Sequence, residues 1–269
     1  MLSYRHGFHA GNPADVFKHA VLVTLIRCMQ EKPAGITFID THAGPARYDL
    51  TDEWAQKTRE YEAGIGEVWP TRSQAGLLQD YLDQVAALNP DGALRFYPGS
   101  PLLMAALLRE VDRLVICELH PSEQQQLRRE LGKQEQVTIH AGDGYEALTR
   151  HLPPPTGRGL VLIDPSYELK DEVDTMGRAL EQALRRFGHG VYLIWYPMIE
   201  GREIDMEVLP ARLGLPEDRW LDLQIEFPEA QRLGRMWGTG MALINPPWRA
   251  RGPLTELTEQ VFQGRVHHL

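Results

Sequence analysis

Apolar residues in this chain fall into two patterns: short unbroken runs that stop at an acid or a turn residue, and longer stretches at helical spacing between them. The clearest run is Leu160 to Ile163, which passes straight into Asp164-Pro165-Ser166-Tyr167. A continuous apolar run bounded by turn residues suits a parallel strand buried on both faces and puts Asp164 at its carboxyl end. Ile36 to Ile39 runs in the same way into Asp40, and Leu114 to Cys117 into Glu118; Val137 to His140 leads through Ala141-Gly142 to Asp143. A fifth strand is expected from Gly190 to Tyr196, ended by Pro197, and two more at Trp220 to Phe227 and Gly240 to Asn245.

Helices fill the intervals. Asn12 as N-cap, Pro13 at the first helical position and Asp15 in the first turn open a helix whose buried stripe includes Val16, Phe17, Ala20 and Val21. Ser100 is expected to cap a second helix, with Pro101 at its first position. Others are expected over Pro121 to Leu131, Tyr145 to Leu152, Asp171 to Arg186 and Arg202 to Leu213. Strands alternating with helices, closed by two final strands, predict an α/β fold: a Rossmann-like, doubly wound sheet of seven strands.

One stretch breaks the alternation. Thr51 to Phe96 is charged and aromatic, with helical segments near Glu53 to Val68 and Gln74 to Leu88, where a plain βαβ unit would already have reached its second strand. A helical insertion after the first strand accounts for it. The expected division is a principal domain of residues 1–50 and 97–269 and an insertion of residues 51–96.

Charge and cysteine content narrow the function. A net charge of -9 over 269 residues argues against a protein that coats nucleic acid non-specifically. A polyanionic substrate would need a local basic patch, for which Lys57, Arg59 and Arg72 of the insertion are candidates. Cys28 and Cys117 lie in apolar stretches without metal-ligand spacing, so core thiols and no metal site are expected. No apolar run approaches the ~20 residues of a membrane span, and no signal pattern opens the chain, which predicts a soluble cytoplasmic protein. His267 and His268 read as tail residues.

The chemistry gathers at the strand ends. Ligands of open α/β sheets bind outside the carboxyl ends of the strands. Asp40, Glu118, Asp143 and Asp164 there describe a pocket for a nucleoside with free ribose hydroxyls and a polar purine edge. Glu118 fits the acid that accepts from ribose hydroxyls. Asp40-Thr41-His42-Ala43-Gly44 is not Gly-x-Gly-x-x-Gly, which lowers the case for a dinucleotide.

With Met1-Leu2-Ser3-Tyr4-Arg5-His6, Phe8-His9-Ala10-Gly11-Asn12, Lys18-His19, Tyr97-Pro98-Gly99-Ser100-Pro101, Glu118-Leu119-His120-Pro121, Asp143-Gly144, Trp195-Tyr196-Pro197 and Ile244-Asn245-Pro246-Pro247-Trp248 added, the chain resembles a known family. It is similar to Class I S-adenosylmethionine-dependent methyltransferases, and more closely to the RlmJ family of large-subunit ribosomal RNA adenine-N6 methyltransferases, over nearly its whole length. The resemblance implies that Lys18, His19, His42 and Ser100 contact S-adenosylmethionine, that Glu118 holds its ribose, and that Asp143 and Gly144 face its adenine. It implies that Asp164, beside the cofactor, is catalytic and that Tyr4, in a substrate-contacting tail of residues 1–11 with Arg5, touches 23S ribosomal RNA. The family's Asp-Pro-Pro-Tyr reads Asp164-Pro165-Ser166-Tyr167 here, and Pro45-Ala46 follow Gly44 where another glycine is usual.

The expected mechanism uses Asp164 and the Pro165 carbonyl as acceptors for the target amine, with Tyr167 stacking on the adenine. A monomer is expected. Two alternatives remain at this point: a methyltransferase acting on DNA adenine or protein glutamine, since the same acceptors suit any planar amine or amide, and a non-enzymatic nucleic-acid binding or uptake protein.

Overall fold

The structure is a computed structural model, and it describes residues 6–202, 204 and 206–268. In chain order its strands are β1 (Thr37–Asp40), β2 (Arg47–Asp49), β3 (Phe96–Pro98), β4 (Arg113–Glu118), β5 (Val137–Ala141), β6 (Gly159–Ile163), β7 (Val191–Ile199), β8 (Trp220–Glu226), β9 (Met236–Ile244) and β10 (Arg265–His267). Eight of them form one sheet in the order β10-β8-β9-β7-β6-β1-β4-β5, while β2 and β3 pair separately.

The half of the sheet from β7 to β5 is parallel. Its chain starts at the centre with β1, moves outward through β4 to β5, then returns to lay β6 on the other side of β1. The order reverses at β1, and the carboxyl ends of β1, β4, β5 and β6 share one edge, where a doubly wound sheet opens a crevice. β9 runs antiparallel between β7 and β8. All five residues of β6 and all four of β1 are buried, as strands covered by helices on both faces require.

The sheet has eight strands where seven were expected. The additional strand, β10, pairs antiparallel with β8 and contains His267, so this residue is not a tail. Three residues are too few to show a period of two, and the strand is held from outside by the Arg265–Glu226 ion pair and by Gly264, whose Cβ would stand 2.2 Å from the Gln224 carbonyl oxygen. Pro197 does not end its strand either. β6 stops at Ile163, opposite Ile194, so the rest of β7 has one open side, and prolines are carried on such edges.

The first long helix, Pro13–Gln30, is almost wholly buried, with Asn12 capping it as expected. The helix expected from Arg202 is shortened to Val208–Leu213. Residues between β2 and β3 form short turns of helix rather than two long ones, the longest being Gln79–Ala87. They hang from the β2–β3 ribbon, and Ile65, Trp69, Tyr81, Leu82 and Val85 join the same core as the first helix. Asn89 closes this segment with four backbone contacts: its amide donates to the Val85 and Phe96 carbonyls and its oxygen accepts from the Arg95 and Phe96 amides.

Candidate active site

A cavity of about 890 Å³ opens at the carboxyl edge of β1, β4, β5 and β6, a size suited to a cofactor and part of a substrate. Lys18, His19, His42, Ser100, Glu118, Asp143, Gly144, Asp164 and Pro165 all line it. Residues far apart in sequence therefore converge because each sits at a strand end or on the first turns of the buried helix.

The helix supplies the charged centre. The Asn12 oxygen accepts from the Asp15 amide, and the Asp15 carboxylate accepts from the Gly11 amide, from His6 Nε2 at 2.9 Å and from Lys18 Nζ at 2.9 Å. Lys18 Nζ also donates to Asp164 Oδ2 at 2.7 Å. Burial alone would lower the Lys18 pKa, but Asp15 and Asp164 outweigh it and hold the ammonium charged well above its usual range. Burial would likewise raise Asp15, and the His6 and Lys18 charges pull it well below the usual carboxylate range.

Both histidines of the expected site are neutral. Burial pushes His19 down to about 3, and its Nδ1 shares a hydrogen bond with the Tyr97 hydroxyl at 2.8 Å, which in turn meets the Tyr81 hydroxyl. Burial pushes His42 down to about 4; its Nδ1 is 2.8 Å from Thr41 Oγ1 and its ring meets the edge of Tyr145.

Glu118 leaves the end of β4 and is oriented by backbone: Oε2 accepts from the Gly44 amide at 2.7 Å and Oε1 from the His120 amide at 2.6 Å. Each oxygen keeps a lone pair, so the carboxylate can still accept from a pair of ribose hydroxyls. Gly44 has a φ of +61°, which glycine adopts without strain. Asp143 caps the helix Gly144–His151 by accepting from the Tyr145 and Glu146 amides. Gly144 brings that helix against the turn after β1: a Cβ here would lie 2.0 Å from the Thr41 carbonyl oxygen. The size of the cavity and the acceptor positions left open on Glu118 fit a nucleoside-bearing sulfonium cofactor.

Three expectations need correction. Ser100 is not the cap of its helix; Gly99 takes that position, and Ser100 Oγ instead donates to Asp40 Oδ2 at 2.7 Å. Asp40 is fully buried behind the cavity and does not line it, so three of the four strand-end acids form the pocket. Tyr167 is only 1% exposed and turns inward, its hydroxyl donating to the Trp195 carbonyl at 2.7 Å. Its φ of +51° is unusual for a large side chain and swings the ring into the core, leaving Asp164, Pro165 and Ser166 on the cavity. Trp195 is the aromatic that lines the cavity there, edge-on to Tyr167 and 5.7 Å from Lys18 Nζ.

Tyr4 and Arg5 lie outside the described residues. The expected basic patch is occupied within the protein: Arg59 pairs with Glu62, Lys57 lies over the Phe8 ring, and Arg72 lies over Trp69 while donating to its carbonyl. The sequence reading also missed Asp15, Trp195, Tyr145 and Glu172 as cavity residues. The Asp15-to-Lys18 spacing on a helix was a usable signal; the hydrogen bond from the Tyr145 hydroxyl to Glu172, 27 residues away, had none.

Burial pushes the Asp40 carboxyl up to about 7; the Ser100 hydrogen bond opposes this and the nearby Asp164 charge adds to it. A raised carboxyl pKa means the fold holds a proton that the unfolded chain, near 3.9, has released. The associated stability is full below about pH 4 and is lost as pH rises through 7. Asp40→Asn should remove that slope, as read by urea unfolding at pH 4 to 9; an unchanged slope would assign the titration elsewhere.

No group of three or more His, Cys, Asp or Glu among the described residues is placed to hold a metal ion, and no helix among them is long and apolar enough to cross a membrane. A central parallel sheet with a reversed strand beside its edge, an acid lining the cavity after β4 and an Asp-Pro turn after β6 are the arrangement expected of a Class I methyltransferase. The family model described as "Ribosomal RNA large subunit methyltransferase D, RlmJ" matches residues 33–264. The chain is 41% identical over 250 residues to ribosomal RNA large subunit methyltransferase J of Escherichia coli, covering 93% of this chain and 89% of that protein. It is 40% identical over 260 residues to the Haemophilus influenzae protein of the same name, covering 96% and 92%. A crystal structure of a Legionella pneumophila protein superposes with a TM-score of 0.85 at 31% identity, over 97% of this chain and 98% of that one. The chain belongs to the RlmJ family of ribosomal RNA large-subunit methyltransferases, and its methyl donor is S-adenosylmethionine.

Proposed function

We propose that this enzyme methylates the N6 amine of an adenine in 23S ribosomal RNA, with Asp164 and the Pro165 carbonyl as the acceptors that hold the amine. The observation that carries the reading is the Asp164-Pro165 turn at the cavity, fixed by the buried Lys18. The names of the Escherichia coli and Haemophilus influenzae relatives support the choice of RNA.

The exocyclic nitrogen of adenine is a poor nucleophile because its lone pair is conjugated with the ring. Lys18 takes Asp164 Oδ2 and leaves Oδ1 to accept from the amine. A second acceptor at the Pro165 carbonyl favours a pyramidal nitrogen whose lone pair faces the methyl. S-adenosylmethionine, when bound, supplies that methyl on an electrophilic sulfonium. Asp164 then stands ready for the proton that the alkylated nitrogen releases. Trp195, rather than Tyr167, offers the aromatic surface for a base drawn out of its stack.

Incubation with labelled S-adenosylmethionine and either 23S RNA, DNA or total protein should label the RNA alone; label confined to DNA or to glutamine would replace this reading. Glu118→Ala should weaken cofactor binding, measured by calorimetry, by the ~1.5 to 3 kcal/mol of hydrogen bonds to a charged group. Unchanged affinity would remove Glu118 from the ribose site.

A further inference from the structure

We propose that Glu60, on the insertion, is a positioning residue for the RNA substrate: it fixes residues 7–12, of which His9 and Asn12 line the cavity. The proposal rests on the RNA methyltransferase reading above. Glu60 side-chain oxygens accept from His9 Nδ1 at 2.9 Å and from Asn12 Nδ2 at 3.1 Å. The carboxylate is 15% exposed, and both of its partners line the cavity. Asn12 is at the same time the cap of the first helix, whose Asp15 and Lys18 hold Asp164. Glu60 therefore stands at one end of a hydrogen-bonded series, through Asn12, Asp15 and Lys18, that finishes on the catalytic carboxylate.

The rest of the insertion makes the same attachment. The Ile65 amide donates to the Gly11 carbonyl at 2.8 Å, and Gly64 lies so close that a Cβ would stand 2.1 Å from that oxygen. Thr58 Oγ1 donates to the Phe8 carbonyl, and Phe8 stacks on Trp54 with Lys57 above it. Of the insertion's three candidate cations, Lys57 is thus engaged with this segment, together with Trp54, while Arg59 and Arg72 pair within the insertion. Burial would lower the His9 pKa, but Glu60 more than offsets it and keeps the imidazole above its ordinary value, so the contact is charge-assisted.

Glu60→Ala should speed backbone hydrogen exchange in residues 7–12, and raise the KM for 23S RNA on the order of ten-fold, the effect of losing a charge-assisted hydrogen bond. S-adenosylmethionine affinity should be unchanged, and Glu60→Asp should recover part of the lost KM. Unaltered exchange in residues 7–12, or an unaltered RNA KM, would overturn the proposal. So would an equal loss of cofactor binding and stability without recovery in Glu60→Asp, since that would make Glu60 only a fold contact. If the parent enzyme fails to methylate 23S RNA at all, the substrate reading falls, while the exchange comparison still decides whether Glu60 holds the segment.

Discussion

Asp164→Ala is expected to lower the methylation rate by a factor of about 100 to 1000, the ~2.7 to 4 kcal/mol that a preorganised contact to a transition state commonly supplies. Cofactor affinity should change little, because Glu118 and the Asp143–Gly144 turn lie on the other side of the cavity, at the ends of β4 and β5. The fold should survive as well. Lys18 is buried and would lose one carboxylate, yet Asp15 remains 2.9 Å from its ammonium, so the charge is not left unpaired. Asp164→Asn separates charge from hydrogen bonding: its amide oxygen can still accept from the target amine, and partial turnover is expected. Single-turnover rates, with calorimetry and thermal unfolding as controls, distinguish these effects. Methylation at the parent rate in Asp164→Ala would reduce Asp164 to a partner of Lys18.

Gly144→Ala should be damaging for a different reason. Helix propensity favours alanine over glycine by up to ~1 kcal/mol, which on its own would stabilise the helix Gly144–His151. The added Cβ, however, would sit 2.0 Å from the Thr41 carbonyl oxygen and 2.7 Å from its carbon, and backbone cannot rotate aside as a flexible side chain can. Overpacking costs ~1 to 3 kcal/mol in cores, and a clash between two backbones belongs at or above the upper end. The helix start must shift away from β1, carrying Asp143 with it. Urea unfolding should show a loss of about 3 kcal/mol, and cofactor affinity should fall at least roughly ten-fold. Gly142→Ala, two residues earlier, is the control: a Cβ there meets nothing within 4 Å, and the variant should resemble the parent. Equal behaviour of the two variants would show that close approach at Gly144 is unimportant.

β1 and β6 were legible because they are buried throughout and run into acids, and β4 because its partly buried apolar run ends on Glu118, whereas β5, an edge strand with no buried residue, was marked by the turn to Asp143 that follows it. Glu118, Asp143 and Asp164 follow from that edge alone. Asp40 has the same sequence context but the opposite outcome, because a strand-end residue can face the cavity or the helix behind it, and only the partner, here Ser100, decides. Tyr167 was misread for a related reason: residue type does not encode the sign of φ, and the ring follows the backbone into the core. The pairs β2–β3 and β10–β8 involve strands of three residues, below the length at which alternation can be seen. The Lys18–Asp164 contact spans 146 positions and leaves no local trace.

The most direct test of the central claim is to treat 23S ribosomal RNA lacking this modification with the protein and S-adenosylmethionine, digest it, and map methylated nucleosides by mass spectrometry. The predicted result is N6-methyladenosine in 23S RNA with the parent protein, and none above background with Asp164→Ala. Methylation of another nucleoside or another adenine position, or equal product from the two proteins, would contradict it.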